Sequence, residues 1–456
     1  MPVSDSSPID ALRSAVRKAK WHLLPLFVVM FIVNYIDRVN VSFIQEQLKQ
    51  DIGLGAAAYG FGAGLFFWGY ALLEVPANLA LERLGARRWL TLIALVWGSV
   101  AGLLAFVRTD TEFYAVRFLL GAAEAGFFPG VVYYFTRWFP SAERGKVMAI
   151  FLSGSAIASI LSGPLAAFLL QLEGLGLKGW QWMVLLEGAF SVLMAGVLWL
   201  WLDSEPAEAR WLTTAERTAL TEQIAAEQQQ ATAKPQAGFL TLLLDPTLLF
   251  FCGIYFSIQL TIYAVTFWLP AIIKEMLADP TAHVGLVALV EGFVRWLGYT
   301  EASQLAALTT GFLNSIPWLI SIVGMYLFAL AAAHWRGQAG WVASALILAG
   351  VGMLGAASLG PGWAFFAICF AALGFKSAAS LFWPIPQKEL DPRVAAAGIA
   401  LINSLGNLGG FAAPSAFGWI KQTTGSVTWG LYGLAFTSVL TASFILLARK
   451  KSARLA

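Results

Sequence analysis

Charge is what this chain has least of. Only 12% of its 456 residues are Asp, Glu, Lys or Arg, where soluble domains carry about 25%. With a mean hydropathy of +0.71, that composition excludes a water-soluble globular domain. Cysteine is scarce too: Cys252 and Cys369 both fall inside apolar runs, which excludes a disulfide framework or a thiolate metal cluster. His22, His283 and His334 are the only histidines, all at span ends or in loops, and no nucleophile motif lies in the core, so the sequence offers no support for a membrane enzyme. No G-x-x-x-x-G-K-[ST] occurs, because Gly374-Phe375-Lys376-Ser377 lacks the glycine before lysine; ATP is not the expected energy source and no cofactor is implied. The net charge of +3 follows from topology and gives no sign of nucleic-acid binding. Met1 to Lys20 is polar, and the long apolar run after it contains Asp37, so a cleaved signal peptide is not expected.

Long apolar runs are what the chain has in plenty. Six fall at about Leu23–Val41, Ala58–Leu81, Trp89–Val107, Phe113–Tyr134, Val147–Leu170 and Trp180–Leu202. Six more follow near Thr247–Ile273, Leu305–Leu330, Gly340–Leu359, Gly362–Pro386, Val394–Ile420 and Trp429–Leu447. The expectation is an all-α integral membrane protein with twelve transmembrane helices set in lipid. Of its 29 Lys and Arg, twenty fall in the segments on one side, six on the other and three inside the spans. Cytoplasmic loops keep positive charge, so both termini are placed in the cytoplasm. Residues 203–245 form a polar linker that divides an N-terminal half, 1–202, from a C-terminal half, 246–456. Within the linker, Thr213 or Thr214 followed by Glu216 predicts a helix start, with Leu212, Leu220 and Ile224 as a weak apolar stripe. An outer insert at 276–303 holds the apolar stretch Val284–Leu297, too short to span and expected to lie along the surface. Gly60 to Gly64 and Gly126 to Gly130 each match G-x-x-x-G, read as packing inside the bundle rather than a dimer seam.

Ionisable residues inside such spans are costly and by default mark an ion or substrate path. Arg117 and Glu124, seven residues apart, share one face of the fourth span; Asp37 and Arg38 lie in the first. Low dielectric disfavours the charged form of a carboxylate, which suits it to carry protons; Asp37 and Glu124 are the proton-coupling candidates, ahead of Glu74 and Glu187 nearer span ends. The plain alternative is charge cancellation, Asp37 against Arg38 or Arg117 and Glu124 against Arg117. Guanidinium groups favour a carboxylate ligand over an amine, so Arg38 and Arg117 point to an organic anion. On the tenth span, Lys376, Ser380, Trp383 and Gln387 share a face, with Lys376 either a second cation for the anion or a residue snorkelling to the outer interface. Asn403 and Asn407 share a face of the eleventh span, as do Tyr70 and Glu74 of the second; they either bind hydroxyl and carboxyl groups or glue helices together. Trp383-Pro384-Ile385-Pro386 must bend its helix.

Several stretches together resemble the anion:cation symporter family of the major facilitator superfamily. They are Asn34-Tyr35-Ile36-Asp37-Arg38-Val39-Asn40, Glu74-Val75-Pro76-Ala77-Asn78, Glu82 to Trp89, Arg117 to Gly126 and Gly398 to Gly410. The resemblance spans nearly the whole chain. It implies the major facilitator fold of two six-helix halves, alternating access, and proton-driven import of an organic anion across a bacterial inner membrane, working as a monomer. By position it implies proton coupling at Asp37 and Glu124, and a pocket at Tyr35, Arg38, Tyr70, Arg117, Trp383 and Asn403. It makes Glu82, Arg83, Arg87 and Arg88 the latch that gates the halves. Ser155, Phe382-Trp383-Pro384, Lys376, the long outer segment and Ala332-Ala333-His334-Trp335-Arg336 depart from the family's pattern. They point away from galactonate toward a dicarboxylate or aromatic carboxylate such as tartrate or phthalate. The alternatives are an anion exchanger or exporter, and a membrane sensor that does not transport, for which there is no output domain.

Overall fold

In lipid a backbone must satisfy its own hydrogen bonds, so apolar runs of this length fold as helices. The computed structural model describes residues 8–231, 245–283, 285–334, 337–390 and 395–455. The first six spans are α1 (Pro8–Val39), α3 (Ala56–Leu84), α4 (Ala86–Leu103), the pair α5 (Asp110–Glu124) and α6 (Phe127–Trp138), α7 (Ser141–Leu169) and α8 (Gly179–Trp201), with a short α2 (Gln45–Ile52) after the first. After α9 (Thr214–Ala231) come α10 (Pro246–Leu277), α11 (Leu286–Trp296), α12 (Ala302–His334) and α13 (Gln338–Ser358). The pair α14 (Pro361–Phe382) and α15 (Pro384–Glu389), the pair α16 (Ala395–Asn407) and α17 (Gly409–Thr424), and α18 (Thr428–Leu455) complete the chain. Eleven spans among the described residues are long and apolar enough to cross a bilayer. The twelfth is the α16–α17 pair, interrupted at Leu408 and preceded by 391–394, which lie outside the described residues.

The breaks are local. Span four is interrupted at Ala125-Gly126, immediately after Glu124, and span ten at Trp383, where Pro384 and Pro386 each remove a donor. The expected bend at Trp383 is therefore present; the breaks after Glu124 and at Leu408 carry no proline at the break itself.

Thr213 and Glu216 cap α9 reciprocally, each side chain accepting from the other's backbone N–H at 3.3 and 2.9 Å. Leu212, Leu220 and Ile224 are buried, so the weak stripe is the docking face. The helix packs along α1, where Ser14 and Lys18 bond Glu216 at 2.7 and 2.8 Å. Linker residues 232–244 lie outside the described residues, as do Trp335 and Arg336 of the degraded latch. The insert forms α11, packed on α12 through Val294 and Leu308 and reaching Ala167 at the end of α7. Its Val284 is outside the described residues.

The two sets of six helices meet mainly at the end away from the N-terminus. A Cβ on Gly60 would lie 2.1 Å from the Pro414 carbonyl oxygen, so only glycine lets α3 and α17 approach this closely. Tyr59 Oη donates to the Phe267 carbonyl at 3.2 Å, Gln422 Oε1 accepts from Ala57 N at 2.9 Å, and Ser315 Oγ donates to the Ile160 carbonyl at 2.5 Å. Toward the other end the same α3 touches α16 far less. The molecule is closed at the far end, where a cavity of about 420 Å³ remains between Glu46 and Lys49 of one half and Lys274 and Lys421 of the other.

Candidate functional site

Consecutive helical residues point about 100° apart, at 3.6 residues per turn. Asp37 and Arg38 therefore face different neighbours. Arg38 turns toward α3 and α5, where its Nη2 donates to Glu124 Oε2 at 3.0 Å and, more weakly, to Asn34 Oδ1 at 3.4 Å. Asp37 turns toward α4 and α8, accepting from Trp97 Nε1 at 3.0 Å and Ser191 Oγ at 2.6 Å. Arg117 and Glu124 do share a buried face of α5, as their spacing predicted. Gly121 between them lets α5 lie against α3, since a Cβ there would sit 1.8 Å from the Phe66 carbonyl oxygen.

Charge cancellation runs differently from the pairing expected. Glu124 pairs with Arg38, not Arg117, and Asp37 pairs with neither arginine. Arg117 donates only to the carbonyls of Arg38 and Ala63, at 3.3 and 3.4 Å, and its Nε and Nη1 have no partner. It is fully buried, with Phe66 5.3 Å from its guanidinium carbon. The Arg38 side chain keeps 13% exposure. Three rings surround its guanidinium, Phe66 at 4.9 Å, Tyr70 at 5.3 Å and Tyr35 at 6.0 Å.

Tyr35, Arg38, Tyr70, Arg117 and Glu124 thus gather around one centre, with Asp37 beside them but turned to Trp97 and Ser191. Lys376 and Ser380 on α14, with Trp383 at its end, make no hydrogen bond or ring contact with that centre among the described residues. Lys376 lies fifteen residues into α14, about 22 Å from its start at 1.5 Å per residue, and stacks 5.1 Å over Trp318. That depth rules out snorkelling to the outer interface. Ser380 is exposed, and Trp383 packs 4.7 Å from Tyr255. Asn407 accepts from Gln259 at 2.7 Å, an interhelical tie between α16 and α10, and Asn403 lies half-buried one turn before it. Glu74 accepts from Ser404 at 2.9 Å. Of the latch residues, Arg83 and Arg88 are exposed and Arg87 donates to the Trp199 carbonyl within its own half, 4.9 Å over that ring; the Glu82 side chain lies outside the described residues.

A cation engaged by one acid and ringed by aromatics inside a twelve-helix bundle is an arrangement suited to a carrier. The sequence profile of the Major Facilitator Superfamily matches residues 26–414. The chain belongs to this superfamily. A protein of Agrobacterium vitis named "Putative tartrate transporter" is 37% identical over 95% of this chain and 94% of its own length. "Quinolone resistance transporter" of Acinetobacter baumannii is 35% identical over 97% and 96%. The tartrate relative agrees with the anion:cation symporter type of the superfamily. The inward-open structure of the xylose transporter XylE from E. coli superposes with a TM-score of 0.70 over 93% of this chain and 95% of that one, at 13% identity, a likeness of fold. The protein is an integral membrane transporter.

Sequence reading missed Trp97 and Ser191, the actual partners of Asp37, because a lone indole or hydroxyl in an apolar span reads as packing. Tyr263 of α10, whose hydroxyl faces Arg38 from the other half, was hidden likewise. Glu187, placed near a span end, is in fact the ninth residue of α8 and buried. Its distance from the helix start was the available signal.

Proposed function

We propose that this superfamily member is a proton-coupled symporter that imports an organic carboxylate by alternating access of residues 1–202 against 246–456. The observation that carries the reading is the shared position of Arg38, bonded to Glu124 yet partly open to the centre. A substrate carboxylate and the Glu124 carboxylate compete for one guanidinium. Protonating Glu124 releases Arg38 to the substrate; losing the proton restores the internal pair and favours release. Each state leaves Arg38 matched by one anion, which lowers the cost of moving the site across the bilayer. Arg117, sealed behind Phe66, biases the centre toward anions. Lys376 supplies a cation from the opposite half.

With the Lys- and Arg-rich ends placed in the cytoplasm, the far end is the outer one and this conformation opens inward. The relatives named for tartrate support a hydroxy-dicarboxylate substrate. The relative named for quinolone resistance supports a second reading, export of an aromatic carboxylate by the same residues. Proteoliposomes offered tartrate, phthalate, galactonate, glucarate and hydroxyphenylacetate, with and without an inward proton gradient, test both. Accumulation that requires the gradient is expected; accumulation driven by an outward one supports export, and indifference to it overturns symport.

A further inference from the structure

One deeply buried acid takes no part in the exchange at Arg38. Glu187 is 7% exposed, and its Oε2 accepts from Asn40 Nδ2 at 2.7 Å. One turn along α8, Ser191 donates to Asp37 Oδ2 at 2.6 Å. Asp37 near the end of α1 and Asn40 in the 3-10 turn just after it, with Ser191 and Glu187 on α8, therefore form two successive rungs, about 5 Å apart at 1.5 Å rise per residue. Because α1 runs away from the N-terminus, the Glu187 rung lies on the far side of the Asp37 rung.

Every donor to these two carboxyls is neutral. Trp97 supplies the remaining bond to Asp37, while Asp37 Oδ1 and Asn40 Oδ1 have no partner. No ionisable residue occurs on α4 between Trp89 and Leu103 or on α7 between Met148 and Leu169, the stretches packed against α8. From α1 the titratable neighbour of Glu187 is Asp37, and Asp37 is faced in turn by Glu124 of α5, an acid paired with Arg38. Two acids enclosed together without a cation cannot both be ionised cheaply.

We propose that Glu187 and Asp37 form a proton-relay pair in which Glu187, nearer the far end, receives a proton and passes it to Asp37. The proposal rests on the proton-coupled reading above. Glu187 loses the proton that Asp37 gains, and the pair keeps a net charge of −1 while it holds one proton. Glu187 touches no substrate in this scheme.

The test compares wild type, Glu187→Gln, Glu187→Asp and Ser191→Ala in proteoliposomes with the five anions named above. Uptake driven by a proton gradient and gradient-free counterflow are each measured across external pH. In Glu187→Gln, gradient-driven uptake is expected to fall at least about ten-fold further than counterflow, as loss of a proton-transferring group does. Glu187→Asp should restore uptake with a displaced external-pH profile, and Ser191→Ala should displace the profile as well. A Glu187→Gln profile and uptake-to-counterflow ratio equal to wild type overturn the relay, as does equal loss of both activities, which marks a structural role. A wild type indifferent to the gradient is a separate failure, that of symport itself.

Discussion

Arg38 on α1 donates to Glu124 on α5 across 3.0 Å, while Arg117, two turns before Glu124 on the same helix, binds only backbone carbonyls. The centre therefore holds one satisfied ion pair and one cation without an acid. The unmatched Arg117 biases the centre toward anions, and in the proposed cycle a proton on Glu124 makes room for one at Arg38.

Gly60 permits the closed far end. Replacing it with valine places a Cβ where the Pro414 carbonyl oxygen stands 2.1 Å away, and backbone cannot yield as a flexible side chain would. The Gly60→Val protein should dwell with the far end open. Labelling of an Ala413→Cys reporter, buried in the closed end, by a membrane-impermeant maleimide, with Cys252 and Cys369 buried and silent, should rise over the Gly60 parent. Unchanged labelling would show that the close approach is not what keeps this end shut.

Glu216 ties α9 to α1. Burial opposes its charge, but Lys18, the Thr213 N–H and Ser14 outweigh that and bring its carboxyl down to about 2 from the ordinary 4.5. A depressed acid contributes stability that is complete above pH 4.5 and disappears as pH falls toward 2. Glu216→Gln, which removes the charge paired with Lys18 but keeps an acceptor for the cap, should cost about 1 kcal/mol at pH 7. Melting curves in detergent at pH 7 and pH 3 check this, with the gap between wild type and variant narrowing at the lower pH.

His283 anchors the insert, bonding the Leu277 carbonyl at 2.9 Å and Glu291 of α11 at 2.5 Å. The carbonyl and then the carboxylate raise its pKa above the ordinary 6.5. A raised histidine contributes stability that is complete below pH 6.5 and is lost as pH climbs past its raised value. Hydrogen exchange across 286–296 should therefore be faster in His283→Ala than in wild type at pH 6, and the difference should shrink at pH 9. A constant difference would assign the effect to packing alone.

The helical fold was legible because lipid leaves few alternatives: apolar runs gave twelve spans, and Thr213 with Glu216 announced α9. The shared face of Arg117 and Glu124 followed from a spacing of seven. What spacing could not tell is which neighbour a side chain meets. Asp37 and Arg38 are adjacent in sequence, yet one reaches Trp97 and Ser191 and the other Glu124, because the directions of α4, α5 and α8 are set by packing across the bundle. Gln259 and Asn407 make the same point, an amide pair 148 residues apart that looks like a binding face on α16 and closes on α10 instead.

The most direct measurement of the central claim is accumulation by Glu124→Gln in proteoliposomes against counterflow in the same vesicles. Glutamine cannot gain or lose a proton, the event that the proposed cycle uses to decide what Arg38 holds. Accumulation should fall to the level reached without a gradient while counterflow persists. Full gradient-driven accumulation by Glu124→Gln would contradict the account and remove Glu124 from coupling.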